Sequence, residues 1–210
     1  MREITFTLLG DGSSDKVLLS IIDWLIRSKT PNLLLQPQWA DFSRLMHPPR
    51  TLPARIEQAI DNYPCDWLFI HRDAEKQPIH ERKSEIETAW ASVSRQHGTQ
   101  RMVSVVPVRM VEAWLMFDEQ AIRQAAGNSN GKERLQLPKW QAIEQLPDPK
   151  RELHVLLRKA SGLSGRRLQK LNVSRAVQLI AENITDFSPL RNLPAFVEFE
   201  TSIQTLIEHS

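Results

Sequence analysis

The sequence is poor in cysteine, in net charge and in long apolar runs, and each shortage excludes a class of protein. Cys65 is the only cysteine among 210 residues, which excludes an intramolecular disulfide and a cysteine-rich zinc site. No apolar run reaches the roughly 18 residues that a membrane-spanning helix needs. No secretory signal peptide is visible at the N-terminus. We therefore expect a cytoplasmic protein with no membrane partner.

The composition is that of an ordinary globular protein. The formal net charge is +2, which by itself favours no class of partner. Hydrophobic residues make up 41% of the chain and charged residues 25%, and these values argue against intrinsic disorder. A chain of this length can form one domain with a full core, or a domain with a helical appendage.

The hydrophobic pattern predicts an α/β fold. Buried strands are predicted at residues 3–9, 33–39, 66–71 and 102–106, and a helical pattern follows each of the first three strands. Pro37 marks the end of the second strand as an edge, because proline has no N–H to donate to a neighbouring strand. This order predicts a mainly parallel, four-stranded sheet flanked by helices.

The pattern changes after the fourth strand. Residues 109–126 predict one helix, residues 128–138 a polar loop, and the rest of the chain only helices that prolines interrupt. We therefore predict an α/β domain over residues 1–127 and a helical C-terminal region over residues 128–210 that packs on it.

Carboxylates follow three of the predicted strands. Asp11 lies in a glycine-rich turn after the first strand, Asp73 and Glu75 follow the third strand, and Glu112 comes shortly after the fourth. Ligands of open α/β sheets bind outside the carboxyl ends of the strands, so these side chains can converge. Converging carboxylates repel one another unless a cation lies between them, and a hard divalent metal is the usual cation.

The turn around Asp11 does not carry a nucleotide-binding fingerprint. Asp15 stands where a dinucleotide-binding turn has its third glycine, and the Gly-Lys-Ser/Thr ending of a phosphate-binding loop is missing. A tight turn in which Asp11 accepts hydrogen bonds from backbone amides is the alternative for that residue. Asp15 itself is interpreted as an acid of the first helical turn, and His71 as a hydrogen-bonded core histidine.

Two features together resemble the Toprim fold, which topoisomerases, bacterial primases and nucleases of the overcoming-lysogenisation-defect type share. One is the acidic-Gly-x-Ser-Asp turn at residues 11–15 combined with the Asp-x-Glu pair at residues 73–75. The other is the segment 106–115, which looks like the Pro-x-x-x-x-Glu-x-Trp-Leu segment of small standalone Toprim-like proteins, many of them in bacterial anti-phage defence loci. The resemblance covers about residues 3–120.

The resemblance implies Mg²⁺- or Mn²⁺-dependent phosphodiester chemistry on nucleic acid, and a nuclease above all. It assigns acid–base catalysis and metal binding to Asp11, metal binding to Asp73 and Glu75, and a second catalytic acid to Glu112. Two positions depart from the family pattern, because Asp11 replaces a glutamate and Glu75 an aspartate.

Two other functions remain open. The shorter side chain of Asp11 favours a catalytically degenerate Toprim-like module that binds a protein or nucleotide partner. A receiver-type or flavodoxin-like domain ranks lower, because residues 107–109 hold no lysine of the kind that a receiver needs after its later strand.

A basic segment in the C-terminal region predicts contacts with phosphate. Between residues 150 and 175, eight lysines and arginines accompany a single acid, Glu152. Arginine forks and backbone amides of a small-residue loop suit phosphate, whereas a solvated helix face is the alternative. The expected partners are nucleic acid and, in a defence system, a partner ATPase or other defence protein; a homodimer is left open. The candidate nucleic-acid-binding residues are Arg158, Lys159, Arg166, Arg167 and Lys170.

Overall fold

The fold is that of a computed structural model, which describes residues 3–97 and 101–209. Its four strands form one sheet in the order β2-β1-β3-β4, and each neighbouring pair is parallel. This confirms the predicted α/β class, with a parallel sheet flanked by helices and a helical C-terminal region. The strands are β1 (Glu3–Leu9), β2 (Leu34–Trp39), β3 (Trp67–His71) and β4 (Arg101–Val105).

Helices account for most of the remaining described residues. Short 3-10 helices lie at Ser13–Lys16, Val111–Leu115 and Ser188–Asn192. The α-helices are α1 (Val17–Lys29), α2 (Leu52–Asn62), α3 (Ile79–His97), α4 (Glu119–Ala125), α5 (Trp140–Ile143), α6 (Pro149–Ala160), α7 (Gly165–Gln169), α8 (Val173–Asn183) and α9 (Pro194–Glu208).

The central strand β3 is buried on both faces of the sheet. Its alternate residues Trp67 and Phe69 belong to a large hydrophobic cluster that includes α1 and the C-terminal helices. Leu68 and Ile70 belong to a smaller cluster with α2 and α3. The alternation follows from the two-residue period of a strand, and it explains the almost continuous apolar sequence of β3.

The order of the strands defines where a ligand is expected. The chain runs from β1 to β2 on one side, and then crosses to β3 and β4 on the other side of β1. The direction of winding therefore reverses between β1 and β3, and the carboxyl ends of these two strands flank a crevice. Such a switch point is where open α/β sheets bind their ligands.

The C-terminal helices share a core with the sheet. The ring of Trp114 stacks on Phe199 of α9 with 6.1 Å between centroids, and Phe199 also meets Phe69 of β3 edge to face at 6.3 Å. The larger hydrophobic cluster is therefore continuous from β1 to α9. The domain boundary at residue 127 stays a prediction.

The prediction of one helix over residues 109–126 is wrong. The structure has a 3-10 helix at Val111–Leu115 and then α4, which starts only at Glu119. The break arises at Asp118, whose side chain accepts a hydrogen bond from the Ala121 N–H and so caps a new helix. The short helix places Glu112 beside the carboxyl edge of the sheet rather than along a continuous helix.

Over residues 3–97 and 101–209, no helix has the length and apolar character that crossing a membrane requires.

Candidate functional site

Asp15 organises the turn that follows β1. Its Oδ2 accepts hydrogen bonds from the backbone N–H groups of Asp11 at 2.8 Å and Gly12 at 3.0 Å, and its Oδ1 accepts one from the Ser14 hydroxyl at 3.1 Å. The side chain packs so closely against Gly10 that a Cβ there would lie 2.7 Å from Asp15 Oδ2. The side chain that accepts hydrogen bonds from the turn amides is therefore Asp15. The alternative interpretation from the sequence, in which Asp11 accepts them, is wrong.

Asp11 points its carboxylate at two arginines. Its Oδ1 lies 2.8 Å from Arg55 Nη1 and its Oδ2 lies 3.0 Å from Arg72 Nε. Arg55 also donates a hydrogen bond to the Gly10 carbonyl oxygen. Arg72 forms a second ion pair, in which its Nη1 lies 2.6 Å from Glu85 Oε1. Both oxygens of Asp11 are thus paired with guanidinium groups at the rim of the crevice.

His71 links the turns after β1 and β3. Its ring is buried, with Nδ1 at 2.9 Å from the Val105 carbonyl oxygen and Nε2 at 3.3 Å from Asp73 Oδ1 and 3.8 Å from Asp15 Oδ2. A carbonyl oxygen can only accept, so Nδ1 carries a proton and Nε2 faces the two carboxylates. Burial opposes the charged ring, but the hydrogen bond to Asp73 and the charges of Asp15 and Asp73 outweigh it and raise the pKa of His71.

Asp73 connects β3 to the segment that carries Glu112. Its Oδ1 accepts a hydrogen bond from the Val111 N–H at 3.2 Å, in addition to facing His71. Among the described residues, Asp73 Oδ2 receives no hydrogen bond. One oxygen of Asp73 is therefore held by its neighbours, whereas the described residues do not hold the other.

Glu112 is a buried acid beside other acids. It is 3% exposed, and Lys150 Nζ at the start of α6 lies 3.9 Å from its Oε1. Burial raises the pKa of Glu112, and the charges of Asp73 and Asp15 raise it further, against the opposing effects of its own N–H and of Lys150. A cation bound beside Glu112 would favour its ionised form and lower its pKa.

The charge of Asp73 acts on Glu112, and these two carboxylates are the candidate metal ligands at this edge of the sheet. The described residues contain no group of three or more His, Cys, Asp or Glu side chains arranged to hold a metal ion. Mg²⁺, however, usually takes one or two carboxylates, keeps several waters and completes its shell with substrate phosphates. A pair of carboxylates suits such a site better than a closed all-protein one. Metal binding by Asp73 and a catalytic role for Glu112 stay predictions.

The backbone is not extended at Glu75, two residues after Asp73. The expectation that both carboxylates lie on one side assumed continued extension, but Glu75 has a φ of 53°, in the left-handed region. Its N–H donates to the Arg109 carbonyl oxygen, and its own carbonyl oxygen accepts from Arg109 Nη1 at 3.0 Å. Its exposed side chain lines a separate cavity of about 480 Å³ together with Lys76 and Arg109. Metal binding by Glu75 stays a prediction.

The basic segment is exposed and begins at the site. Lys159 pairs with Glu133 at 3.5 Å. α6 starts beside Glu112, and at about 1.5 Å per residue Arg158 lies on the order of 12 Å from Lys150 along the helix axis. This is about three to four phosphate steps along one strand of a duplex, at roughly 3.4 Å each. Within the part of the chain that the structure describes, no ion pair forms at Arg158, Arg166, Arg167 or Lys170.

Sequence reasoning found three of the converging segments but not how they connect. His71 is, as predicted, a hydrogen-bonded core histidine, and its position directly before Arg72 and Asp73 was the only signal of its place between two carboxylates. Asp15 was visible in the acidic-Gly-x-Ser-Asp turn as an acid four residues after Asp11, a spacing that suits a side chain folding back on the turn.

Comparisons with protein-family models, with curated proteins and with solved structures find no match to this chain.

Proposed function

We propose that this protein cleaves phosphodiester bonds of nucleic acid in a metal-dependent reaction, as a Toprim-type nuclease. The observation that carries the proposal is that Asp73 binds the Val111 N–H next to the buried Glu112 and acts electrostatically on it, at the carboxyl edge of a parallel sheet. Arg55 and Arg72 contribute cations at the neighbouring turn, where they pair with Asp11. Phosphoryl transfer asks little covalent chemistry of a protein, and it needs positioning and neutralisation of the phosphate charge.

Asp73 and Glu112 hold the divalent cation in this proposal. A bound Mg²⁺ or Mn²⁺ neutralises charge on the phosphate and lowers the pKa of bound water. His71 and the Val111 N–H fix one oxygen of Asp73, so the other keeps a defined direction. Lys150 favours the ionised form of Glu112 until the cation is present.

Arg55 and Arg72 are proposed to contact the phosphate next to the cleaved bond. Guanidinium groups bind phosphate through paired hydrogen bonds, and Asp11 holds both side chains at the rim of the crevice. Asp11 thereby acts as a positioning residue. The acid–base role that the resemblance implies for it would require both arginines to release its carboxylate.

The exposed basic segment is proposed to bind the backbone of the same nucleic acid away from the cleaved bond. Its residues start at the edge of the site and extend along α6 and α7. Anti-phage defence is the biological setting that the resemblance suggests for such a nuclease.

A second function follows from one observation, the pairing of Asp11 with two arginines. Asp11 is one methylene shorter than the glutamate of the Toprim pattern, and two guanidinium groups neutralise its charge. Both properties are expected of a catalytically degenerate module. In that case Asp73 and Glu112 would hold a metal with a bound nucleotide or protein partner, and no bond would be cleaved.

The test is cleavage of labelled single- and double-stranded DNA and RNA with Mn²⁺ or Mg²⁺. We expect cleavage that EDTA abolishes and that Asp73→Asn lowers by at least about 100-fold, the scale on which loss of one charge-stabilising group acts. Asn keeps the shape of the side chain and an oxygen for the Val111 N–H. The matched control is Glu87→Gln, which removes an exposed acid of α3, outside the basic segment, and should cleave at the wild-type rate.

Equal cleavage by wild type and Asp73→Asn would contradict the nuclease assignment at this site. Absence of cleavage on every substrate, with metal binding retained, would support the degenerate module instead.

A further inference from the structure

A cavity of about 630 Å³ lies beside the Asp11 turn, on the side of the sheet edge that faces β2. One wall is the turn at residues 10–13, and the opposite wall is the loop at residues 40–50 that connects β2 to α2. The volume is within the range of about 300–1,000 Å³ in which proteins bind small ligands. Its place at the carboxyl end of the sheet makes it a neighbour of the proposed metal site.

The cavity carries an excess of positive charge. Lys16, Arg50 and Arg55 line it, against Asp11 and Asp41. Asp11 is paired with Arg55 and also with Arg72, which lies outside the cavity lining and pairs with Glu85 as well. Arg50 is exposed and takes part in no ion pair within residues 3–97 and 101–209.

Asp41 offsets part of this charge, because hydrogen bonds from Ser43 keep its pKa low and its carboxylate ionised. Its carboxylate accepts a hydrogen bond from the Ser43 N–H at 3.0 Å, and both Lys16 and Arg44 act on it electrostatically. The two acids of the lining, Asp11 and Asp41, face three cations, Lys16, Arg50 and Arg55, so one positive charge is left over. A singly charged phosphodiester is the complementary ligand.

An aromatic wall stands next to these cations. Trp39, the last residue of β2, is half-buried, lines the cavity and packs so tightly on the turn that a Cβ at Gly10 would lie 2.8 Å from its ring. Lys16 Nζ lies 5.8 Å from the ring centroid of Trp39. An aromatic face adjoining cations is the arrangement that binds a nucleobase together with its phosphate.

We propose that this cavity is a nucleotide subsite, which holds one nucleotide of the bound strand with its base against Trp39 and its phosphate against Arg50 and Lys16. Arg55 joins the subsite to the metal site, because it lines the cavity and also binds Asp11. The inference rests on the proposed function in one respect, namely that the nucleotide belongs to the substrate strand. Binding itself requires no metal and no cleavage.

The experiment measures binding of a fluorescently labelled, 5′-phosphorylated single-stranded oligonucleotide by anisotropy, in EDTA. We expect Arg50→Ala to weaken binding by at least about fivefold, as loss of one charge-assisted phosphate contact does. Lys16→Ala combined with Arg50→Ala should flatten the slope of log affinity against log salt by about 1.4, at roughly 0.7 for each contact with a single strand. The control is Arg95→Ala, an exposed arginine of α3, which should leave affinity and slope unchanged.

Trp39 is tested by two substitutions. Trp39→Leu should weaken binding by about fivefold or more, and Trp39→Phe should keep most of the affinity because it keeps an aromatic face. Since Trp39 also packs against the turn, the melting temperature of each variant is measured, and Arg50→Ala keeps the test valid if Trp39→Leu fails to fold.

Wild-type affinity for Arg50→Ala and for the double variant would overturn the subsite. So would effective competition by a free deoxynucleoside monophosphate at the concentration at which the unlabelled oligonucleotide competes, because the cavity would then serve a free nucleotide. A protein that binds in this way but cleaves nothing in Mn²⁺ would refute the nuclease and leave the subsite standing. Cleavage with no effect of Arg50→Ala on binding would do the reverse.

Discussion

The surroundings of Glu112 disfavour the ionised form of its side chain. Burial and the nearby charges of Asp73 and Asp15 raise its pKa in the folded state. A raised folded pKa means that the folded protein binds the proton more tightly than the unfolded chain does. The contribution of Glu112 to stability is therefore complete below the unfolded pKa, and it is lost as the pH rises through the folded pKa.

The prediction is that Glu112→Gln stabilises the metal-free protein at neutral pH. Gln keeps the size of the side chain and removes the opposed charge, so the variant should melt about 2–4 °C higher for each kcal/mol gained. Calorimetry in EDTA at about pH 8 and about pH 4 should show this advantage only at the higher pH. Glu152→Gln, an exposed acid of α6, should show no such change with pH. A Glu112→Gln variant that melts below wild type at about pH 8 would contradict the account.

Asp15 is expected to matter to stability more than Asp11. Asp15→Ala leaves the N–H groups of Asp11 and Gly12 without their acceptor, at a cost of about 1–3 kcal/mol in the free energy of unfolding. Asp11→Ala removes two ion pairs of a carboxylate that is 45% exposed, and each is worth about 0–1 kcal/mol. Urea denaturation of both variants measures the difference. Equal losses would mean that the turn does not depend on Asp15.

The individual acidic residues could be predicted from the sequence, but the contacts that they make could not. Asp11, Asp73 and Glu112 stand out because each follows a strand pattern. The pairing of Asp11 with Arg55 and Arg72 joins residues 44 and more positions apart in the chain. Such a contact depends on how the elements pack, so no local pattern predicts it.

At the level of elements, the basic segment on α6 and α7 has a defined test. Exposed cations that bind phosphate release counterions, and each contact contributes about 0.9 to the salt slope on duplex DNA or about 0.7 on a single strand. Arg166→Ala combined with Arg167→Ala should therefore flatten the slope by one to two units, as measured by binding titrations at several salt concentrations. Arg27→Ala combined with Arg95→Ala, on α1 and α3, removes the same charge elsewhere.

An unchanged slope for the first pair would assign Arg166 and Arg167 to a solvated face of α7. A similar change in salt slope for both double variants would show that binding depends only on the overall charge. That result would also contradict a specific contact between the basic segment and nucleic acid.

The helices show where local patterns stop being sufficient. The hydrophobic period over residues 109–126 is helical, yet the structure divides it at residues 116–118. Asp118 caps α4 just after this break. Asp73, from the turn after β3, accepts a hydrogen bond from the Val111 N–H at the start of the 3-10 helix. A capping residue can be recognised in a sequence, whereas the contact from Asp73 needs the sheet to be in place.

At the scale of the whole molecule, the parallel sheet could be predicted and its strand order could not. Alternating strand and helix patterns predict that all carboxyl ends share one edge. Only the order β2-β1-β3-β4 puts the turns after β1 and β3 side by side. This neighbourhood brings Asp15 to His71 and His71 to Asp73, and the charges of Asp15 and Asp73 act from there on Glu112.

The most direct test of this arrangement is the binding of Mn²⁺ itself, followed by electron paramagnetic resonance with no nucleic acid present. We expect wild type to bind the ion. Asp73→Asn and Glu112→Gln should each weaken Mn²⁺ binding by at least about tenfold, because each removes one of two carboxylate ligands. Glu152→Gln should leave Mn²⁺ binding unchanged. Equal Mn²⁺ affinity for wild type and both site variants would show that Asp73 and Glu112 do not form the metal site.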